Sequence, residues 1–412
     1  MIFWLIIGIL LVVYAVELWL AVLNLRQRNK PLPENVADIF DEERYRTWRN
    51  YQSETYRLMF IGKSLRLLVL LALLALGGFA YFVELAESVS GNAYVQTLVF
   101  LGLYQVIVLL IGWPLSYYRT FSIDERYGFN RSTKKLFVID KIKGVVLLVV
   151  LGGGLVLLFQ VIFSQVDNIV LFAVIAWAVA FAIVTLIAYL YTAVFVKIFN
   201  KIDPLPEGEL REKIEALADT IGFKVKAISQ MDASKRSTRL NAFFSGFGKN
   251  KDIVLFDTLI EKMETDQILA VLAHEFAHGK HKDVQRMFIQ QALVFALYTA
   301  LVAVVLQTEA LYTAFGLNGI FFGFALIMFM VLISPIEFLL GVPLSWLSRR
   351  AEYRADAFAA GYLGASSMIG ALKVLAKEDL ADLNPHPYLV TAYYSHPPMS
   401  LRIGALEALQ KQ

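Results

Sequence analysis

The sequence alternates between apolar blocks of about 20 residues and polar segments. A block of that length lets an α-helix cross roughly 30 Å of hydrocarbon, so we predict that each block spans a membrane. The first block lacks a basic segment at its start and is longer than the apolar part of a signal peptide, so we interpret it as a retained span. The seven predicted spans lie at about residues 2–23, 65–83, 95–115, 145–163, 169–196, 287–306 and 320–347.

The distribution of Lys and Arg between these blocks predicts an orientation. Basic residues accumulate in the first, third and fifth connections, whereas connections 84–94, 164–168 and 307–319 contain none. Because cytoplasmic loops carry the excess of Lys and Arg, we predict that the N-terminus lies outside and the C-terminus inside. The basic residues of the first and third connections include Arg26, Arg28, Lys30, Arg44, Arg46, Arg49, Arg119, Arg126, Arg131, Lys134, Lys135, Lys141 and Lys143.

Composition supports a membrane protein and limits its chemistry. Of the 412 residues, 58% are hydrophobic, whereas a soluble domain has about 45–50%. There is no cysteine, so a metal site must use histidine or carboxylate ligands. The net charge of +3 is small, and the basic residues are spread over several loops, so we do not expect nucleic acid as a partner.

The alternation also divides the chain into four parts. Residues 1–196 hold spans one to five, 197–286 form a polar catalytic segment, 287–347 hold spans six and seven, and 348–412 form a polar C-terminal segment. We predict a mainly α integral membrane protein in which the two polar segments make one cytoplasmic α+β domain. Strands are predicted at 224–228, 241–247 and 252–256, the last two forming a hairpin.

Segment 265–283 predicts a helix that Thr265 caps and that contains His274-Glu275-Phe276-Ala277-His278. A spacing of four puts both imidazoles on one face of the helix, one turn apart, where they can share one Zn²⁺. Glu275 lies beside that face and can take a proton from the attacking water. Because so short a pattern also occurs by chance, the remaining ligands decide the interpretation.

A catalytic zinc site needs a third protein ligand and an open position. In the glutamate-ligand (gluzincin) class, a later helix supplies this ligand as Glu-x-x-x-Asp, and Glu352 and Asp356 fit that spacing here. The predicted topology brings both parts together, because the 265–283 helix leads into span six and span seven leads into the Glu352 helix. Asp356 is placed to accept the second ring N–H of a ligand histidine. His281 would close the open position, so we interpret it as a solvated loop residue.

The residues alone leave two other classes of function open. Gln105, Gln160 and Glu337 lie within predicted spans and can line a transport pathway, although no internal repeat is visible. Glu337 follows Pro335 near the cytoplasmic end of span seven, where it can equally face water. A scaffold with a structural metal is the third possibility, which bound zinc without hydrolysis of any peptide would support.

Four further segments carry motifs far more specific than the metal pattern. They are residues 123–130, 241–247, 253–259, and 395–398 followed by 401–403. Together with the metal motifs, they resemble the type I CAAX prenyl protease family of seven-span zinc endopeptidases, and the resemblance covers most of the chain. The departures are Phe276-Ala277 in place of the usual Leu-Gly and Tyr353 in place of Phe, and neither touches a ligand.

The resemblance implies that the spans enclose a large water-filled chamber, which the zinc site faces from the cytoplasmic side. It implies that Asn241, Ala242 and Phe243 bind the substrate backbone by edge pairing, and that His396 and Arg402 stabilise the oxyanion or orient the peptide.

The implied substrate is a prenylated CAAX-like protein or another membrane-associated peptide. Residues 408–412 carry no retrieval signal, which favours a bacterial inner membrane over the endoplasmic reticulum. The shorter heat-shock membrane zinc proteases, with a role in quality control, remain the enzymatic alternative. The length of the chain and its loop motifs count against them.

Overall fold

The computed structural model describes residues 1–247 and 250–411. Most of these residues are helical, and three short π-helical segments continue neighbouring helices. The helices are α1 (Ile2–Gln27), α2 (Glu42–Ala75), α3 (Gly78–Val89), α4 (Ala93–Tyr118), α5 (Lys134–Leu147), α6 (Gly153–Gln165), α7 (Ile169–Leu190), α8 (Lys197–Phe199), α9 (Glu209–Ile221), α10 (Asp257–Lys262), α11 (Thr265–Lys280), α12 (Asp283–Gln307), α13 (Glu309–Thr313), α14 (Phe322–Leu363), α15 (Ala365–Glu378), α16 (Pro387–Tyr393) and α17 (Met399–Gln410). The strands are β1 (Ile202–Pro204), β2 (Ala227–Met231), β3 (Ala242–Phe247) and β4 (Asn250–Phe256).

Within the described residues, seven helices are long and apolar enough to cross a membrane, which confirms the predicted number. They are Ile2–Gln27, Glu42–Ala75, Ala93–Asp124, Lys134–Gln165, Ile169–Phe199, Asp283–Gln307 and Phe322–Leu363.

The prediction for the second span was wrong at its C-terminal end. The apolar pattern continues to residue 83, but α2 ends at Ala75 and the separate helix α3 begins at Gly78. Gly77 between them has a φ of 72°, in the left-handed region that glycine enters without a steric penalty and that ends a helix. The span instead extends the other way, to the start of α2 at Glu42, where the Asp41 side chain accepts from the Arg44 N–H.

The spans form a ring in chain order. Each span contacts the next, from α1 through α2, α4, α6, α7 and α12 to α14, and α14 returns to contact α1. Helix α14 also contacts α4 across the ring, and buried side chains of α1, α2, α4, α7, α12 and α14 form one hydrophobic cluster. In the most apolar window of each span, only between 6% and 28% of the residues are buried, so most of each span lies outside this cluster.

A four-stranded sheet with the order β1-β2-β4-β3 lies in the domain that follows span five. The predicted hairpin is confirmed, because β3 and β4 pair antiparallel with Ala242 opposite Leu255. The strand predicted at 224–228 begins three residues later, at Ala227, where pairing with β4 starts. Strand β3 has no second neighbour among the described strands and forms one edge of the sheet.

Helix α11 lies at the centre of the soluble domain. It contacts β3, α9, α14 and α15, and its apolar side chains, such as Leu272 and Phe276, are buried in the largest hydrophobic cluster. The predicted helix begins at Thr265 as expected, but its capping residue and its C-terminal end were wrong. Glu264, rather than Thr265, caps it, in a reciprocal arrangement with Gln267. It stops at Lys280 because Lys282 has a φ of 60°, and Asp283 starts α12.

Candidate metal centre

Two helices bring three ligand atoms to one point. Helix α11 places the Nε2 atoms of His274 and His278 3.3 Å apart. From α14, Glu352 places Oε2 3.3 Å from Nε2 of His274 and Oε1 3.4 Å from Nε2 of His278. The three side chains are 5–18% exposed, so the site is largely shielded from solvent.

These residues fit a zinc ion. The three ligand atoms lie within 4.8 Å of one another, and two imidazoles with one carboxylate form a donor set that zinc uses in catalytic sites. Oε2 of Glu352 is buried and accepts no hydrogen bond. A buried carboxylate oxygen without a partner is costly, and a cation at this point would satisfy it.

The first histidine has an acidic partner on its other ring nitrogen. Nδ1 of His274 lies 2.9 Å from Oδ1 of Asp356. Asp356 in turn accepts two hydrogen bonds from Arg402, at 2.8 Å and 2.5 Å. Burial lowers the pKa of His274, but the neighbouring carboxylates of Asp356 and Glu352 outweigh it and raise the pKa to about 9. The acidic groups around His274 therefore favour positive charge at this position.

The second histidine has an equivalent partner that the sequence reasoning missed. Nδ1 of His278 lies 3.1 Å from Oδ2 of Asp283. Oδ1 of Asp283 accepts from Arg354 at 2.7 Å and from Arg286 at 3.2 Å. The available signal was an aspartate five residues after the second histidine, just beyond the end of the metal-binding helix.

Glu275 lies between the two histidines in sequence and is half-buried. Burial raises the pKa of its carboxyl group, against the opposing effect of the two imidazoles. A raised carboxyl pKa suits a group that takes up a proton and returns it.

The other predicted residues lie at different distances from this point. Nε2 of His396 is 3.4 Å from Oε1 of Glu352, and its side chain is 62% exposed. Arg402 is only 6% exposed and donates to Asp356, so its predicted contact with substrate stays a prediction. Asn241 is exposed. The structure thus brings together the two histidines, Glu352, Asp356, His396 and Arg402. Asn241 lies just before the edge strand β3, and Ala242 and Phe243 are its first two residues.

A cavity of about 640 Å³ connects the edge strand with the metal centre, because Phe244 lines it together with His278 and Glu352. Its volume lies within the ~300–1,000 Å³ typical of ligand sites. His281 lies outside the metal group, with its ring packed on Phe358. Within the spans, Glu337 accepts a hydrogen bond from the Tyr298 hydroxyl.

Comparison with known proteins decides between the open alternatives. Residues 204–410 match Peptidase family M48, and residues 21–201 match the CAAX prenyl protease N-terminal region with five membrane helices. The chain belongs to peptidase family M48. This M48 member is therefore a membrane zinc metalloprotease, which excludes the transporter and scaffold hypotheses as accounts of its main activity.

Relatives match this M48 peptidase over almost its whole length. CAAX prenyl protease 1 homolog of Arabidopsis thaliana is 32% identical, over 99% of this chain and 98% of the relative. CAAX prenyl protease 1 of Saccharomyces cerevisiae is also 32% identical, over 92% and 89%. The crystal structure of S. mikatae Ste24p superposes with a TM-score of 0.92 at 29% identity and covers 98% of both chains. The resemblance to the CAAX prenyl proteases is thus confirmed.

Proposed function

We propose that this peptidase cleaves peptide bonds near the C-terminus of prenylated CAAX-like substrates or of other membrane-associated peptides. Three observations support the proposal: the relatives are named CAAX prenyl proteases, seven spans form a ring, and a buried His-His-Glu group lies where the ring meets the soluble domain. The last observation carries the proposal, because it supplies the chemistry for hydrolysis.

In this proposal, His274, His278 and Glu352 hold one zinc ion. When bound, the zinc supplies Lewis acidity for the scissile carbonyl. Glu275 takes a proton from the attacking water and transfers it to the leaving amine. His396, exposed and next to Glu352, donates a hydrogen bond to the oxyanion of the tetrahedral intermediate.

Asp356 and Arg402 position the ligand His274 without binding the metal themselves. Asp356 accepts the Nδ1–H of His274, which leaves Nε2 free to bind the metal. Arg402 holds both oxygens of Asp356 and so fixes the orientation of that carboxylate. By orienting Asp356, Arg402 keeps His274 in place for the metal and can help to orient a peptide bound beside it.

The substrate backbone pairs with the free edge of β3. The Phe256 N–H donates to the Asn241 carbonyl, so Asn241 and Phe256 form a hydrogen-bonded pair. Such pairs alternate along an antiparallel ladder, so the backbone N–H and carbonyl of Phe243 also face β4. The backbone groups of Ala242 and Phe244 face away from β4. Because the Ala242 N–H already donates to the Asn241 side chain, an extended peptide would use the Ala242 carbonyl and the Phe244 N–H and carbonyl.

We further propose a bacterial inner-membrane location with the N-terminus outside and the active site in the cytoplasm. The strong bias of Lys and Arg toward the odd-numbered connections supports this orientation. Cleavage of unmodified membrane-protein fragments, as in quality control, is the alternative activity for the same site.

The test is the Glu275→Gln variant. We expect it to retain zinc at wild-type stoichiometry, since Glu275 is not a ligand in this scheme, and to lose peptide hydrolysis by several orders of magnitude. Purified from membranes, the inactive variant should also retain bound peptides, which mass spectrometry identifies. Lipidated C-terminal peptides would support CAAX processing, unmodified fragments would support quality control, and undiminished hydrolysis would refute the assignment of Glu275.

A further inference from the structure

Asp283 has both carboxylate oxygens engaged at the metal centre. Oδ2 faces Nδ1 of His278 at 3.1 Å, and Oδ1 accepts from Arg354 at 2.7 Å. The Asp283 side chain is only 14% exposed. An acidic residue in the first turn of a helix commonly faces solvent and interacts with the helix dipole alone, so this engagement needs a different explanation.

The chain geometry delivers Asp283 to His278. Helix α11 ends at Lys280, and Lys282 adopts a left-handed conformation with a φ of 60°. Because a lysine gains nothing from this strained region, the contacts that follow must compensate for it. The resulting turn brings the first residue of α12 back beside the second metal ligand.

The surroundings of the two ligand histidines then match. His274 has Asp356 on Nδ1, and Arg402 holds Asp356. His278 has Asp283 on Nδ1, and Arg354 holds Asp283. Each imidazole therefore has a carboxylate that an arginine from another helix keeps in place.

We infer that Asp283 is a positioning residue for His278 and that Arg354 acts through it. This inference rests on the proposed metal ligands. The carboxylate accepts the Nδ1–H of His278, which fixes the tautomer with a free electron pair on Nε2 and sets the plane of the ring. Arg354 lies two residues from Glu352 on α14, so the same arginine ties the start of α12 to the helix that carries the third ligand.

Two substitutions of Asp283 test the role. Asp283→Ala removes the acceptor and the charge, and we expect the affinity for Zn²⁺, measured by competition with a chromogenic chelator, to fall by roughly 10- to 100-fold. Asp283→Asn keeps an acceptor oxygen and should recover part of this loss. In the Co²⁺-loaded protein, the visible absorption bands should shift in Asp283→Ala, because the geometry of one ligand changes.

Asp266→Asn is the matched control. Asp266 occupies the first turn of α11, is exposed and carries the same helix-dipole interaction, but it has no contact with a ligand histidine among those described. We expect it to leave Zn²⁺ affinity and the Co²⁺ spectrum unchanged. If Asp266→Asn and Asp283→Asn weakened Zn²⁺ binding equally, Asp283 would act only as a charge at the start of a helix, and the inference would be overturned.

A double-mutant cycle tests Arg354. If Arg354 acts through Asp283, Arg354→Gln weakens Zn²⁺ binding on its own but adds nothing in the Asp283→Ala background, whereas additive losses would contradict the relay. His278→Ala separates this inference from the proposed function. Retention of tight Zn²⁺ binding in His278→Ala would refute the ligand assignment itself, whereas loss there with no effect of Asp283→Ala would refute only the role of Asp283.

Discussion

At the scale of single residues, the metal centre balances buried charges of opposite sign. Glu352 and Asp356 lie one turn apart on α14 and are 4% and 1% exposed. Arg402 is a buried guanidinium that donates to Asp356 and lies 3.9 Å from Oε2 of Glu352. Removing one partner of such a buried pair leaves an uncompensated charge, which is far more costly than losing a surface pair.

We therefore expect Arg402→Met to destabilise the protein by about 3–5 kcal/mol, measured as a drop in the thermal unfolding midpoint in detergent. The double variant Arg402→Met with Asp356→Asn should recover part of this loss, because it removes the unpaired carboxylate. Lys373→Met is the control, since it breaks an exposed ion pair with Asp38 and should cost no more than ~1 kcal/mol. Equal losses in both single variants would contradict the buried-charge argument.

The spacing of residues predicted much of this centre. His274 and His278 could be paired because a spacing of four fixes their common face on any helix, and Glu352 with Asp356 follows the same rule. The role of Asp283 could not be predicted this way. Its contact with His278 depends on the left-handed turn at Lys282, and no glycine or asparagine stood there to indicate that conformation.

At the scale of helices and strands, the apolar blocks predicted how many spans exist but not where each helix breaks. The apolar pattern continues through Gly77, whereas the helix is interrupted there. Strand β1 was missed because it is three residues long and ends in Pro204, a residue that argues against a strand except at an edge. The β3–β4 hairpin was found because its β-branched and aromatic residues flank Gly and Asn in the sequence, a pattern that favours a hairpin.

The orientation of β3 leads to a prediction about proline substitutions. Phe244→Pro removes an N–H that faces away from β4, so the ladder should survive while one hydrogen bond to substrate is lost. The control is Phe244→Ala, which removes the aromatic ring but keeps the N–H. Relative to this control, we expect kcat/KM of Phe244→Pro to be about 2- to 13-fold lower, because a typical hydrogen bond contributes ~0.5–1.5 kcal/mol. Phe243→Pro should instead lower the unfolding midpoint, because the Phe243 N–H faces β4. If Phe244→Pro lowered the unfolding midpoint and Phe243→Pro did not, the backbone groups of Phe243, rather than those of Phe244, would be the ones that face away from β4.

At the scale of the whole molecule, contacts between distant parts of the chain close the ring and anchor the soluble domain. The Asn24 side chain at the end of α1 donates to the Tyr56 hydroxyl on α2 and to Asp382, and it accepts from the His386 N–H. This buried amide joins the first two spans to the segment that leads to His396. The C-terminal site residues are thus held against the N-terminal spans, a relation that no local sequence pattern indicates.

The charge bias of the connections makes a prediction about orientation that this cysteine-free chain allows to be tested cleanly. Ser88, exposed at the end of α3, lies in a connection without Lys or Arg, whereas Glu207, with a side chain 82% exposed, precedes α9 in the soluble domain. In right-side-out membrane vesicles, Ser88→Cys should react with a membrane-impermeant maleimide and Glu207→Cys should react only after permeabilisation, because basic loops stay in the cytoplasm. The unmodified chain provides the background labelling, and activity of each variant shows that the ring has assembled.

Labelling in the reverse order would place the metal centre outside. There it could not meet substrates that are made and lipidated in the cytoplasm, so this outcome would refute CAAX processing together with the orientation.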